Sequence, residues 1–343
     1  MQSSAHKIAG QGVGSAYFEL IKMLGEKKSD SLDVTINKRT KADITHFHTV
    51  DFQFYVSTLF KGTVGRTLGY VHFVPDTLDG SLKLPKIASV FFNKYLVAFY
   101  KRMDHLIVVN PSFIDELVKI GIPRENVTYI PNFVSKEKWY DLSPEAKSDF
   151  RKSKGFTDEQ TIILGAGQIQ KRKGIDDFYE LAVQNPDTQF IWAGGFSFGM
   201  ITDGYEKYKK MMKNPPANLT FTGIIDRSEM MNYYNIADTF LLPSYTELFP
   251  MTILEAATCG TPIMLRDLEL YHSILEGQYM AAADFAEMDK FVKEITADPS
   301  ILDAYKEKAR EVASYYSEEH LAEIWEEFYY SQAGLETLNE SIA

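Results

Sequence analysis

Short apolar runs alternate with longer amphipathic stretches along the whole chain. Apolar runs bounded by turn-forming residues predict buried strands of a parallel sheet, and the amphipathic stretches between them predict covering helices. The predicted strands are Asp43–Phe47, Thr67–Val71, Leu106–Asn110, Val127–Ile130, Thr161–Ala166, Gln189–Ala193, Leu219–Thr222, Thr239–Leu242 and Pro262–Leu265. The predicted helices include Ser15–Leu24, Ser112–Ile120, Asp176–Gln184, Ser228–Ile236, Thr252–Thr258 and Ser317–Ala333.

The pattern is interrupted at Pro131–Tyr140, where Pro131 and Asn132 act as breakers before mixed polar residues. A chain of 343 residues with strand–helix alternation on both sides of such a linker predicts an α/β protein with two Rossmann-like domains. The beginning departs from this pattern, because the glycine-rich Gly10–Gly14 follows only about nine residues where a full strand is expected. Either the first strand is very short or the chain begins downstream of its natural start.

Composition narrows the class of protein. Hydrophobic residues make up 45% and charged residues 24%, which indicates a folded core and excludes wholesale disorder. A single cysteine excludes a disulfide framework and a cysteine-rich zinc site. We find no apolar run long enough to span a membrane and no signal peptide near Met1, so the cytosol is the expected compartment.

Charge is distributed unequally along the chain. The net charge of −11 argues against nucleic-acid binding. Residues 1–150 contain 19 Lys and Arg against 16 Asp and Glu, whereas the remainder contains 17 against 31. A basic first half and an acidic second half suggest that the two domains have different tasks.

The strongest chemical signal is a pair of glutamates, Glu247 and Glu255, placed after the predicted strand Thr239–Leu242. The free N–H groups and the dipole at the start of the following helix favour an anion. A carboxylate beside that anion could accept sugar hydroxyls, and one deeper on the helix could accept ribose hydroxyls. The spacing alone, however, is more often that of two solvated helix glutamates.

Two other segments could contribute to the same kind of site. The loop Gly165–Gly174 follows a strand and precedes a helix, so its cations could face a diphosphate, although solvated lysines in a turn are the common alternative. His72 ends the strand Thr67–Val71, and open α/β sheets bind ligands at the carboxyl ends of their strands. The spacing of His46 and His48 fits a metal pair, but no third ligand is visible, and we interpret both as structural or cleft-lining.

In combination these motifs resemble glycosyltransferase family four over nearly the whole chain. The residues that carry the resemblance are the loop near Gly12, Val71-His72, Ile130-Pro131-Asn132, Lys173-Gly174, Thr222-Gly223, and Glu247 with Glu255. The resemblance implies the GT-B fold, in which two Rossmann-like domains face a central cleft. It also implies a retaining, metal-independent hexosyltransferase, most similar to the diglucosyl-diacylglycerol synthases of Gram-positive bacteria.

The resemblance further implies a division of labour and a set of site residues. Residues 1–135, with the terminal helix 317–343 packed back on them, would face acceptor and membrane, and residues 136–316 would bind the nucleotide sugar. The implied catalytic residues are Glu247, His72 and Lys173. The implied donor-binding residues are Gly12, Gly14, Gln168, Arg172, Lys173, Gly223, Phe249, Pro250, Met251, Thr252 and Glu255. Gln168 stands where the family has an arginine and supplies no charge, so Arg172 is the candidate replacement.

The segment Ser81–Met103 carries the membrane hypothesis. It contains Lys83, Lys86, Lys94, Lys101 and Arg102 with no acidic residue, and several aromatic residues. A basic, aromatic, amphipathic helix suits an anionic lipid surface. The alternative is a domain helix packed on the sheet whose lysines are merely solvated. Asp76 is a candidate for acceptor contact.

The expected reaction is transfer of glucose from UDP-glucose to glucosyl-diacylglycerol, which forms the diglucosyl lipid of a lipoteichoic acid anchor. No cofactor or metal is expected, and the expected partners are UDP-glucose, the glycolipid and an anionic membrane, at whose inner face the protein would be peripheral. Four alternatives stay open: a galactosyl donor, a polysaccharide or protein acceptor, a nucleotide-sugar phosphorylase or epimerase, and a non-catalytic membrane-surface module.

Overall fold

The computed structural model describes residues 1–4, 12–38, 40–75, 86–196 and 204–335. The strands are β1 Ile44–Phe47, β2 Arg66–Val71, β3 His105–Val108, β4 Val127–Tyr129, β5 Ile162–Ala166, β6 Gln189–Ala193, β7 Leu219–Gly223, β8 Thr239–Leu242, β9 Ile263–Arg266 and β10 Met280–Ala282. The helices are α1 Gly12–Lys27, α2 Phe52–Ser57, α3 Lys61–Val64, α4 Lys86–Tyr100, α5 Ser112–Lys119, α6 Pro144–Ser153, α7 Ile175–Gln184, α8 Tyr205–Lys213, α9 Arg227–Ile236, α10 Met251–Thr258, α11 Glu269–Leu275, α12 Phe285–Ala297, α13 Leu302–Tyr315 and α14 Glu318–Ala333.

The chain forms two compact units. Unit 1 comprises the residues up to Phe133 together with those from Glu318 onward, and unit 2 comprises Val134–Ser317. Unit 1 contains a parallel sheet in the order β1-β2-β3-β4, and unit 2 contains a parallel sheet in the order β10-β9-β8-β5-β6-β7. Two parallel sheets with helical crossovers are the two predicted Rossmann-like domains, and the α/β fold class is confirmed.

The predicted strands are present within two residues at each end. The pattern missed β10, which is only three residues long and contains two alanines, a residue depleted in strands. It also placed the start of the first helix too late, since α1 begins at Gly12 and not at Ser15. Gln2 makes a parallel bridge with Phe47 at the free edge of β1, so the sheet is extended by a single residue there.

Local sequence explains several helix starts in unit 2. The hydroxyl of Ser143 accepts a hydrogen bond from the Ala146 N–H, and Asp226 accepts one from the Ser228 N–H. At the start of α12, Asp284 accepts from the Glu287 N–H, and the Glu287 carboxylate accepts from the Ala283 N–H. Each side chain satisfies a donor that would otherwise be left without a partner at the helix terminus.

The terminal helix α14 packs within unit 1. Lys28, which directly follows α1, forms ion pairs with Glu323 and Glu326 at 2.9 Å and 2.6 Å. On the other side of α14, the Trp325 ring stacks on Tyr70 of β2 with centroids 5.9 Å apart. The last helix therefore reaches the strand that leads to His72. In the part of the chain that the structure describes, no helix is long and apolar enough to cross a bilayer.

Gly174 holds two loops of unit 2 in close contact. Its φ of +69° is left-handed, and a Cβ atom built there would lie 2.2 Å from the Pro243 carbonyl oxygen. Gly155 is also left-handed, with φ of +85°, but nothing lies within 4 Å of its Cβ position. Alanine substitutions at the two glycines therefore distinguish the cost of the left-handed backbone from the cost of the collision.

We therefore expect Gly174→Ala to lower the free energy of unfolding by about 3 kcal/mol or more, because strain and collision add. The matched control Gly155→Ala should cost about 1 kcal/mol, because it meets strain alone. Urea denaturation of both variants measures the difference. Equal costs would show that the loops separate without penalty.

Candidate functional site

Three neighbouring strands of unit 2 bring polar residues to one edge of its sheet. The carboxyl end of β5 leads to Lys173, that of β8 leads to Glu247, and β9 ends with Arg266. Since parallel strands present their carboxyl ends at the same edge, residues far apart in sequence meet there.

The centre of this group is a buried ion pair. The Lys173 Nζ atom lies 2.6 Å from a Glu247 carboxylate oxygen, and their side chains are only 12% and 5% exposed. Arg172 lies 3.7 Å from the other oxygen and is about half exposed. Burial lowers the pKa of Lys173, and the Glu247 charge opposes that effect. Glu247 is thus a buried acceptor held by cations, and not the solvated glutamate of the alternative interpretation.

A hydrogen-bonded loop positions the two cations. The Tyr245 N–H donates to the Arg172 carbonyl oxygen at 2.8 Å, which ties the β8 loop to the β5 loop. The Arg172 Nε donates to Gln170 at 3.0 Å, and the Gln170 amide donates to Gln168 at 2.5 Å. Gln168 therefore contacts the Arg172 network but adds no charge to it.

Glu255 lies on α10 and is buried. One of its oxygens accepts from Arg227 at 3.0 Å, and the other accepts from the Tyr234 hydroxyl at 3.0 Å. The Arg227 guanidinium lies 5.7 Å from the centre of the Trp139 ring.

The remaining predicted donor residues lie on two segments. Pro250 precedes α10 without a side-chain cap, so Met251 and Thr252 occupy a first turn with no capping side chain. Phe249 is half-buried, with its ring 6.0 Å from that of Tyr316. Gly223 ends β7 with a φ of +71°.

Arg266 and Asp177 are site residues that the sequence reasoning missed. Arg266 donates to the Pro243 carbonyl oxygen at 3.1 Å, forms an ion pair with Asp177, and lies 4.2 Å above the Tyr245 ring. Tyr245 in turn donates to Asp177 at 2.7 Å. These contacts fix the loop that carries Glu247. An arginine at the end of an otherwise apolar strand was the signal available in the sequence.

In unit 1, His72 directly follows β2. Its ring lies 4.5 Å from that of Tyr70, and its buried Nε2 atom has no hydrogen-bond partner. Gly12 and Gly14 lie in the first turn of α1, where we predicted a loop. Asp76 and Lys83 lie outside the described residues.

Comparison with known proteins assigns the family. Residues 31–138 match the model for Glycosyltransferase Family 4, and residues 146–312 match that for Glycosyl transferases group 1. Over 335 residues the chain is 56% identical to alpha-galactosylglucosyldiacylglycerol synthase of Streptococcus pneumoniae, covering 98% of this chain and 90% of the relative. The chain belongs to glycosyltransferase family 4.

More distant relatives of this glycosyltransferase agree with that assignment. It is 29% identical over 191 residues to the processive diacylglycerol alpha-glucosyltransferase of Acholeplasma laidlawii, covering 55% of this chain and 56% of the relative. The crystal structure of Anabaena HepE in complex with UDP superposes with a TM-score of 0.75 at 13% identity, covering 96% of this chain and 98% of that one. The latter similarity supports the GT-B type of fold predicted from the motifs.

Two further histidines of the glycosyltransferase are buried, His46 within β1 and His48 just after it. The Tyr329 hydroxyl and the His46 Nδ1 atom are 2.8 Å apart, and the His46 and His48 rings are 4.0 Å apart. Burial lowers the pKa of both, with smaller contributions from neighbouring positive groups. Among the described residues, no group of three or more His, Cys, Asp or Glu side chains could hold a metal ion.

Helix α4 has two different faces. Leu96, Phe99 and Tyr100 are buried in the core of unit 1, as the alternative interpretation of a domain helix requires. Lys94 on the helix and Lys101 just after it are exposed. Arg102, the next residue, donates to the Thr58 hydroxyl at 2.7 Å and lies over the Tyr55 ring. Lys86 begins the helix. Arg102 therefore packs within the unit, so it differs from the two exposed lysines.

The histidines of unit 1 predict a pH dependence of stability. Burial lowers the pKa of His72 to about 3. Below about pH 6.5 an unfolded histidine binds a proton that folded His72 does not. The free energy of unfolding should therefore fall as pH decreases from about 6.5 towards 3, by up to about 1.4 kcal/mol per pH unit for this histidine.

Urea denaturation at pH 7 and pH 5 checks this sign. Between pH 7 and pH 5, the free energy of unfolding of His72→Gln should fall by about 2 kcal/mol less than that of the unchanged protein. The same pH dependence in His72→Gln and in the unchanged protein would mean that folded His72 titrates as it does in the unfolded chain.

Proposed function

We propose that this glycosyltransferase transfers galactose from UDP-galactose to glucosyl-diacylglycerol. The observation that carries the proposal is the buried Glu247, held by Lys173 at 2.6 Å, in a chain that is 56% identical to alpha-galactosylglucosyldiacylglycerol synthase. The pair offers what a nucleotide sugar needs, namely cations for the diphosphate and a carboxylate for sugar hydroxyls.

Glucose transfer from UDP-glucose to the same lipid is the second candidate and was the expectation from the motifs. It is favoured by the similarity to the processive diacylglycerol alpha-glucosyltransferase and to HepE, which is also known in complex with UDP-glucose. The two donors differ at a single sugar hydroxyl. Polysaccharide and protein acceptors are outcomes of the same test.

The proposed chemistry uses fixed charges of unit 2. As the bond between the sugar and the diphosphate breaks, negative charge grows on the departing UDP. Lys173, Arg172 and the N–H groups at the start of α10 stabilise that charge, more strongly in the transition state than in the ground state, so no metal is required. Glu247 orients the sugar and supports positive charge at its anomeric carbon, and Glu255 accepts ribose hydroxyls.

The anomeric configuration is retained in this proposal. A β-phosphate oxygen of the departing UDP takes the proton of the acceptor hydroxyl on the face that UDP leaves. The acceptor oxygen then bonds to the anomeric carbon on that same face, and UDP departs carrying the proton. The roles predicted for His72, Gly12, Gly14 and Asp76 stay predictions.

Radiolabelled sugar transfer in mixed micelles tests the proposal. UDP-galactose and UDP-glucose are each offered with diacylglycerol, with glucosyl-diacylglycerol or with no lipid, and the products are separated by chromatography. We expect a diglycosyl lipid from UDP-galactose with glucosyl-diacylglycerol only. Glu247→Gln should lower its rate at least about a hundredfold, because the carboxylate charge is lost while its shape is kept.

Other results have definite meanings. A diglycosyl lipid from UDP-glucose alone would select the second candidate. UDP release without a lipid product would keep the transferase and reject the lipid acceptor. Full activity of Glu247→Gln would remove Glu247 from the reaction.

The exposed face of α4 supports peripheral attachment to an anionic membrane, which we place at the inner face of the cell membrane. Phe91 is 70% exposed on α4 and Phe52 is 69% exposed on α2. The two helices share one surface, because the Phe52 ring lies 6.4 Å from that of Tyr95 on α4. Large apolar side chains on the helix that carries Lys94 suit insertion at headgroup level, with Lys94 and the exposed Lys101 that follows the helix on lipid phosphates.

Changing Lys94 and Lys101 together to Glu should weaken binding to vesicles containing anionic lipid about thirtyfold or more, since each lysine contributes about 1 kcal/mol. Co-sedimentation measures the loss. Arg102 is left unchanged because it packs on Tyr55 and Thr58. The matched control changes Lys152 and Lys290 of unit 2 to Glu and should bind as before. If both variants bind the vesicles equally well, α4 is a core helix that does not attach the protein to the membrane.

A further inference from the structure

Tyr271 carries a buried hydroxyl that takes part in none of the hydrogen bonds of the site. The residue lies in α11 with no exposed surface, and its hydroxyl oxygen has no hydrogen-bond partner. The nearby Tyr279, whose ring is 5.9 Å away, donates to Asp267 at 3.0 Å. Leaving a buried hydroxyl unpaired is costly, so the unpaired state of Tyr271 calls for an explanation.

Tyr271 and Glu247 lie at the same edge of the unit 2 sheet. Helix α11 follows β9, which pairs with β8, the strand that leads to Glu247. Since both strands are parallel, α11 and the loop that carries Glu247 start from neighbouring carboxyl ends. Burial raises the pKa of Tyr271, and the Glu247 charge raises it further, in keeping with this placement.

Binding of the nucleotide sugar leaves Glu247 short of a hydrogen-bond donor, and the Tyr271 hydroxyl could be that donor. In the structure Lys173 is the partner of Glu247 at 2.6 Å, yet Lys173 is also the cation proposed to hold the diphosphate. When the diphosphate draws Lys173 away, the buried carboxylate is left with less positive charge. Arg172, 3.7 Å from the other oxygen and about half exposed, compensates the Glu247 charge only in part. A buried charge short of donors is strongly unfavourable, so Glu247 then needs another donor.

We propose that Glu247 exchanges partners when the donor binds: Lys173 turns to the diphosphate, and the Tyr271 hydroxyl donates to Glu247 in its place. Tyr271 is thus a positioning residue that keeps the carboxylate in place for the sugar. A carboxylate accepts several hydrogen bonds, so one oxygen takes the phenol while the other takes a sugar hydroxyl. The inference rests on the proposed function only in assuming that a diphosphate binds at Lys173.

Tyr271→Phe tests the exchange, because it keeps the ring and removes the hydroxyl. The free variant should melt no lower than the unchanged protein, since the hydroxyl has no partner there. Calorimetric titration should show UDP and UDP-galactose each binding about tenfold more weakly, because both carry the diphosphate that displaces Lys173. A purely structural tyrosine would show the opposite pattern, with a lower melting temperature and unchanged affinity.

Tyr279→Phe is the matched control. It removes a hydroxyl that does have a partner, Asp267, so it should lower the melting temperature and leave both affinities unchanged. Ser244→Ala removes another buried hydroxyl without a partner, on the loop that carries Glu247. It should leave UDP affinity unchanged if Tyr271 is the residue that takes over Glu247.

Three results would overturn the exchange. They are unchanged UDP affinity in Tyr271→Phe, a loss confined to UDP-galactose, and a lower melting temperature of the free variant. A loss confined to UDP-galactose would show direct sugar contact. The titration contains no lipid acceptor, so its result can be interpreted even if the proposed acceptor is wrong. If the unchanged protein binds no UDP, the proposed function itself is rejected.

Discussion

The buried ion pair between Lys173 and Glu247 is the interaction on which the rest of the unit 2 site depends. Two charges removed from water are stable only when the geometry is held and the remaining hydrogen bonds are satisfied. The surrounding loops provide that support. Gly174 allows its backbone to lie against Pro243, Arg266 donates to the Pro243 carbonyl oxygen, and the Tyr245 N–H donates to Arg172. The loops that carry the cation and the carboxylate are thereby held in place before any ligand arrives, which is the preorganisation that electrostatic stabilisation requires.

At its strand ends, unit 1 has packed aromatic and imidazole rings where unit 2 has paired ions. His46, His48 and Tyr70 form a stack of rings beside His72, and Trp325 and Tyr329 of the terminal helix close it. Burial keeps these imidazoles neutral, so unit 1 presents polar atoms without charge where unit 2 presents paired ions. The terminal helix contributes two of these rings, and its ion pairs with Lys28 are therefore part of what shapes this region.

One surface of unit 1 combines apolar and basic side chains. The exposed side of α4 carries Phe91 and Lys94, Lys101 follows the helix, and α2 adds Phe52. Apolar and basic side chains on one surface are typical of attachment to anionic lipid. A transferase attached in this way would meet its lipid acceptor at the surface where that lipid resides, while its soluble donor arrives from solution.

Nine of the ten strands described could be predicted from the sequence, because alternating apolar runs and amphipathic stretches are local patterns with fixed periods. The three-residue β10 could not. The sequence also pointed to Glu247, Glu255 and Lys173 through their motifs. It could not show that Lys173 and Glu247, 74 residues apart, neutralise each other, nor that Arg266 pairs with Asp177. It grouped Arg102 with Lys94 and Lys101, although Arg102 packs on Tyr55. Such pairings depend on which elements become neighbours in the folded chain and in which register, and no local pattern in the sequence specifies that.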